Sequence, residues 1–157
     1  QPSASHRSTL RRRVPIALPG GVISTSAEAA DFLVRSDALV VVDGYNVAKL
    51  GWPNRSLEQQ RTALVERCEN LARRCGTEIT VVFDGASVAG AHTSARRTVR
   101  VVYSPAGVSA DDVIRAEVEQ LPTERGVAVV TNDREVVGDV RAAGANVVPS
   151  NAFIAVF

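Results

Sequence analysis

Short aliphatic runs and helix-period stripes alternate along this chain. Residues 39–42 are unbroken aliphatic (LVVV) and run straight into Asp43, Gly44, Tyr45 and Asn46. A run this short reads as a strand buried on both faces, as in a parallel sheet. Residues 78–83 (EITVVF) repeat the pattern and end on Asp84-Gly85. Residues 98–103 (TVRVVY) alternate enough for a strand with one exposed face, residues 126–131 (GVAVVT) end on Asn132-Asp133, and residues 146–148 make a short fifth strand.

Between these runs the apolar period changes. Leu57, Arg61, Leu64, Cys68, Leu71 and Cys75 form one mostly apolar helical stripe, opened by a Ser56-x-x-Gln59 capping box and stopped at Gly76. Thr25-x-x-Glu28 predicts a second capping box and a short helix to about Arg35 that buries Ala29, Phe32 and Leu33. Ser109 is the expected N-cap of a helix to about Gln120, and residues 134–143 form a helix ended by Gly144. Residues after Asn46, through Gly51, Trp52 and Pro53, read as a loop, as do residues 86–95; the apolar tail 150–157 is expected to dock. The resulting order predicts an α/β fold, a three-layer arrangement with a mostly parallel central sheet flanked by helices. Residues 38–157 form the expected domain, and residues 1–37 a basic N-terminal extension with a short helix.

A net charge of +1 provides no global field for nucleic acid or membrane. Seventeen of the eighteen basic residues are Arg, a bias produced by phosphate recognition or by genome composition; the one Lys is Lys49. Arg7, Arg11, Arg12 and Arg13 meet no acid before Glu28, so residues 1–13 read as a solvated tail or as an arm for a phosphate backbone. No run of about 20 apolar residues crosses a membrane, and the basic start is not followed by a signal-peptide core. The sequence does not begin with Met, and it is expected to be a piece of a longer protein. Cys68 and Cys75, seven residues apart on one helix, are separated by roughly 10 Å along its axis, too far for a disulfide. They read as core residues of a cytoplasmic protein.

Acids recur at one kind of position. Asp43, Asp84, Asp111 with Asp112, and Asp133 each follow a strand or open the next helix. Ligands of open α/β sheets bind beyond the carboxyl ends of the strands, and neighbouring strands lie about 4.8 Å apart. The acids therefore converge, repel one another, and are reconciled by a divalent cation. An all-oxygen donor set favours Mg²⁺ or Mn²⁺ over zinc. Each acid also has a plainer reading: Asp43 and Asp84 as turn formers before Gly, Asp111 and Asp112 as helix-dipole partners, Asp133 as a cap. Asn46 can orient Asp43, bind phosphate or cap a turn; Tyr45 can pack or stack on a base; Thr131 can hold a carboxylate or end a strand.

DGYNV at 43–47, VVFDG at 81–85, SADDVI at 109–114 and VVTNDR at 129–134 resemble the YacP-like branch of the NYN domains, within the PIN-like nuclease superfamily. The likeness spans about residues 39–157. It implies a PIN-like fold and a divalent-metal endoribonuclease. Asp43, Asp111 or Asp112, and Asp133 would be the metal ligands, with Asp84 a further acid of the site and Asn46 its polar partner. The chain departs from the family pattern where Arg115 follows Ile114, one turn after the helix-start acid, with Glu117 the next acid; Asn132 replaces a usual Ser.

The expected reaction is hydrolysis of RNA phosphodiesters, with mRNA or ribosome-associated RNA as candidate partners. No acid occurs between Gly85 and Ala110, so His92, Arg96, Arg97 and Arg100 are the expected RNA contacts, and Thr131 the further substrate-positioning residue. The rival reading is an RNA-binding PIN-like domain without catalysis. Phosphotransfer folds fit poorly. A haloacid-dehalogenase-type phosphatase needs an acid where Tyr45 stands, a receiver domain needs a late Lys, and a dinucleotide enzyme needs a glycine fingerprint that DGYNVAKLG lacks.

Overall fold

The computed structural model describes residues 12–85, 94–95 and 99–157. Six strands form one sheet in the order β3-β4-β2-β1-β5-β6: β1 (Leu39–Asp43), β2 (Glu78–Phe83), β3 (Ser94–Ala95), β4 (Val99–Tyr103), β5 (Val127–Val130) and β6 (Asn146–Val148). Five of them run parallel, and the two-residue β3 pairs antiparallel with β4 at the edge. The helices are α1 (Ala27–Arg35), α2 (Gly44–Gly51), α3 (Leu57–Cys75), α4 (Ala110–Gln120), α5 (Arg134–Ala142) and α6 (Ser150–Ile154).

The three layers follow from strand alternation. Val40 and Val42 face one core with Ile79, Val81, Phe83, Leu64, Cys68, Leu71 and Phe153. Val41 faces the other, with Val82, Val129, Ile114, Val118, Val136 and Val140. Both faces of β1 are buried, which is why its sequence is continuously aliphatic. β1 is central: it pairs with β2 on one side and β5 on the other. The strand order therefore reverses direction at β1, the position where α/β sheets open a crevice beyond their carboxyl ends. The mostly parallel α/β expectation holds.

Local signals set most boundaries. The Ser56–Gln59 capping box is formed in both directions, and Gly76, at φ 67°, ends α3 in the left-handed conformation. Ser109 caps α4 by accepting from the Asp112 amide at 3.1 Å. Four expectations need correction. The stretch 86–95, read as loop, ends in strand β3, which pairs with β4. α1 is capped by Ser26, not Thr25, with the Ala29 amide 3.1 Å from its hydroxyl. Phe32 is only partly buried, while Ala30 and Val34 complete the buried face. The stretch after Asn46 is helix α2 rather than loop, held by fully buried Val47 and Ala48.

The solvated-tail expectation for residues 1–13 fails at Arg13, and the residues that follow it also dock. Arg13 is buried, and Ile16 exchanges two hydrogen bonds with the Asn146 side chain, at 2.8 and 3.0 Å. Ile16 and Leu18 pack on the same core as β1. Cys68 and Cys75 are both free thiols. Among the described residues no helix is long and apolar enough to cross a membrane.

Candidate active site

An open cleft of about 480 Å³ lies at the carboxyl edge of the sheet, lined by Asp43, Tyr45, Asn46, Lys49, Asp84, Ser109, Ala110, Asp111 and Asp133. Asp43 ends central β1, Asp84 follows β2 on one side, and Asp133 follows β5 on the other. Asp111, in the first turn of α4, closes the group.

Asp43 stands at the N-cap position of α2, yet its side chain makes no cap hydrogen bond. Its Oδ2 instead accepts from Thr131 Oγ1 at 2.7 Å, and Thr131 Oγ1 accepts from the Asp133 amide at 3.0 Å. A buried threonine thus ties the first acid to the last. Asp133 does serve as a cap: its Oδ1 accepts from the Glu135 amide at 2.9 Å and the Val136 amide at 3.4 Å. Asp84 Oδ1 accepts from Ser104 Oγ at 3.4 Å, and Ser104 Oγ accepts from the Gly85 amide at 3.0 Å.

Two acids of this cleft, Asp43 and Asp111, are raised by burial and by neighbouring charge. Burial pushes the Asp43 carboxyl up to about 6; the Thr131 hydrogen bond opposes the rise, and the fields of Asp111 and Asp133 add to it. Asp111 is also raised, first by burial and then by Asp133, with Arg115 pulling the other way.

Asp111 and Asp112 part company. Asp111 lines the cleft, whereas Asp112 is exposed and pairs with Arg115 Nη1 at 2.9 Å. Arg115 also pairs with Asp139 and so joins α4 to α5. Arg100 lies away from the acids. It pairs with Glu117 at 2.5 Å and lines a separate cavity with Leu39, Ile79 and Leu121. The reason is register: Arg100 opposes Thr80 near the start of β2, not its carboxyl end. His92, Arg96 and Arg97 lie outside the described residues.

Asn46 lines the cleft but has its Oδ1 engaged. It accepts from the Asn132 amide at 2.9 Å and from Ser150 Oγ at 2.6 Å. Asn132 Oδ1 in turn accepts from the Ser150 amide at 2.9 Å. This set fixes the β5–α5 loop against α2 and the start of α6. Ser150 gives no local signal in the sequence because its role depends on contacts more than 100 residues away along the chain. Lys49 was detectable only once the helix through Tyr45 was recognised, since the two lie four residues apart on α2.

Gly44 is not there for a turn. It is the first residue of α2, and a Cβ at that position would sit 2.4 Å from Phe83 Cδ1 and 2.8 Å from the Val82 carbonyl oxygen. Gly44→Ala is therefore expected to cost about 1–3 kcal/mol. The check is the urea midpoint of unfolding, and an unchanged midpoint would refute the close-approach account.

Among the described residues no three His, Cys, Asp or Glu side chains are already gathered tightly enough to enclose a metal ion. The donor chemistry nevertheless suits a hard divalent cation: the acids offer only oxygens, and two of them have their charge disfavoured by burial and mutual repulsion.

A parallel sheet with acids beyond successive strand ends defines an α/β domain with an acidic cleft at its carboxyl edge. The model of the YacP-like NYN domain matches residues 40–157, and the chain belongs to that family. Two solved structures are similar: Rae1 (YacP) from Bacillus subtilis, with TM-score 0.65 and 22% identity over 74% of this chain and 71% of that one; and its W164L mutant, with TM-score 0.63 and 21% identity over 75% and 73%. These likenesses establish the fold. No curated protein sequence matches the chain.

Proposed function

We propose that this protein is a divalent-metal-dependent endoribonuclease that hydrolyses RNA phosphodiesters at the acid cleft. The observation that carries the reading is the convergence of Asp43, Asp84, Asp111 and Asp133 on one open cleft. Membership of a PIN-like nuclease family supports the same reaction class.

Asp43, Asp111 and Asp133 would hold Mg²⁺ or Mn²⁺. A bound cation supplies a water of lowered pKa and neutralises charge on the phosphate in the transition state. Thr131 would keep the Asp43 carboxylate directed by donating to Oδ2, a bond that leaves Oδ1 uncommitted to it. Asp84 lies on the β2 side, where its carboxylate can take a proton from the attacking water. In-line attack on phosphorus breaks the bond to the 3′ oxygen, which leaves as a hydroxyl and keeps the phosphate on the 5′ end of the downstream fragment. Asn46, whose Oδ1 accepts from the Asn132 amide, would act by holding the loop that bears Asp133.

The rival reading, RNA binding without cleavage, draws on the absence of a pre-gathered ligand set among the described residues. One experiment separates them: incubation of end-labelled RNA with the purified protein in Mn²⁺, with and without EDTA. The expected result is cleavage that EDTA abolishes, giving 5′-phosphate and 3′-hydroxyl ends. RNA bound but left intact would support the rival.

A further inference from the structure

One wall of the acid cleft is neither acidic nor used by the residues assigned so far. Tyr45 and Lys49 are one turn apart on α2, and both line the cleft beside the four acids. The Lys49 ammonium stands 5.6 Å from the centre of the Tyr45 ring, within cation–π range. The ring itself is fixed. It packs on Phe83 with centroids 5.0 Å apart, and its hydroxyl accepts from Arg61 Nη1 at 2.7 Å. Lys49 is exposed and its stem is flexible, so the lysine can move while the ring cannot.

Among the described residues Lys49 is the one cation that lines this cleft. Arg61 is engaged with Tyr45 and Arg115 with Asp112 and Asp139, and Arg134, exposed beside Asp133, does not line the cleft. Lys49 is also the one Lys among eighteen basic residues. Arginine at this position would fork onto a cleft carboxylate in a bidentate pair. A compact ammonium on a flexible stem leaves the acids available and can be exchanged for a phosphate oxygen.

We propose that Lys49 is a substrate-positioning residue. Its ammonium holds a non-bridging phosphate oxygen of the bound strand, and in moving there it bares the Tyr45 face for the adjoining base. This inference rests on the nuclease reading, and the test keeps the two apart. Binding is measured by fluorescence anisotropy with a labelled single-stranded RNA in EDTA, across a salt series, on an Asp43→Asn background. Lys49→Gln is expected to weaken binding about tenfold and to flatten the slope of log K against log salt by about 0.7, the loss of one phosphate contact. Lys49→Arg is expected to restore the slope only in part, because its guanidinium fork is also drawn to the cleft carboxylates. Tyr45→Leu is expected to weaken binding with the slope unchanged, because stacking carries no charge. Arg73→Gln, in a separate cavity on α3, is the control and is expected to leave the slope alone. In Mn²⁺, on the otherwise native protein, Lys49→Gln is expected to raise KM more than it lowers kcat. Unchanged affinity and slope for Lys49→Gln, or an equal loss for Arg73→Gln, overturns the positioning role while cleavage by the native protein stands. Failure of the native protein to bind or cleave RNA rejects the nuclease reading, and this inference with it.

Discussion

The Asp43→Asn protein is expected to lose RNA cleavage in Mn²⁺ by roughly 10³-fold or more. It is also expected to be more stable than the native protein when metal is withheld. Both effects have one cause. Asp43 is central in the cleft, buried, and close enough to Asp111 and Asp133 for their charges to raise its pKa. Its carboxyl moves from an ordinary 3.8 to about 6. A raised acid stabilises the fold fully below its unfolded pKa, and that contribution is lost as pH rises through the folded pKa. The window here is about pH 4 to 6. Asparagine keeps the shape and can still accept from Thr131 through its amide oxygen, but it carries no charge to bury. In EDTA the melting temperatures of the two proteins are therefore expected to coincide near pH 4. They should then separate to a full difference above pH 7, where the variant is more stable by about 3 kcal/mol at most. Adding Mn²⁺ is expected to raise the native protein's melting temperature and to leave the variant's nearly unchanged. Native-level cleavage by the variant would sink the assignment of Asp43 to the reaction. A stability gap independent of pH would show that its burial is not the source of strain.

Arg13→Ala is expected to destabilise the protein by about 3 kcal/mol, a fall in melting temperature of roughly 6–12 °C. The guanidinium reaches the end of α4, where four backbone oxygens converge. Nη1 donates to Pro122 at 3.0 Å and Arg125 at 2.8 Å, and Nη2 donates to Val118 at 2.8 Å and Leu121 at 3.2 Å. The last carbonyls of a helix lack partners within it, and the last turn of α4 has no basic residue of its own. Arg13 brings that charge from more than 100 residues away. Burial lowers its pKa, and Glu124 partly offsets this. Its backbone is equally confined, since a Cβ on Gly144 would lie 2.0 Å from the Arg13 carbonyl oxygen. Arg13→Lys has one donor group in place of a fork and is expected to recover only part of the loss. Arg12, exposed beside it, is the control, and Arg12→Ala is expected to change stability by less than about 0.5 kcal/mol. Chemical denaturation of the three variants is the measurement. A loss under about 1 kcal/mol for Arg13→Ala would mean the N-terminal segment is only resting on the surface.

Arg13 illustrates what a sequence conceals. In the chain it is the last of three consecutive arginines, indistinguishable from its neighbours by type or spacing. Its burial is decided by where the end of α4 happens to lie. Arg100 shows the reverse error. It sits in an acid-free stretch that invited a substrate role, yet strand register places it near the start of β2, opposite Thr80 and beside Glu117. Helix α2 was hidden because both its ends are Gly and its N-cap acid spends its side chain elsewhere, so neither propensity nor capping marked it.

The sequence by itself determined five of the six strands, because a strand buried on both faces must be largely aliphatic, and Leu39–Asp43 and Glu78–Phe83 are legible on that ground, whereas the two-residue β3 lies in a stretch that reads as loop. It determined the ends of α3 through the Ser56–Gln59 box and Gly76, which are interactions between near neighbours. It also placed acids beyond successive strands, since a carboxyl edge is defined by chain direction alone. Only the tertiary structure decided between Asp111 and Asp112, adjacent residues that one helical step of 100° sends to the cleft and to Arg115 respectively. It alone decided that Thr131 joins Asp43 to Asp133 and that Lys49 faces the acids. Local order follows from neighbours along the chain; a site follows from neighbours across it, and those exist only after the layers have packed.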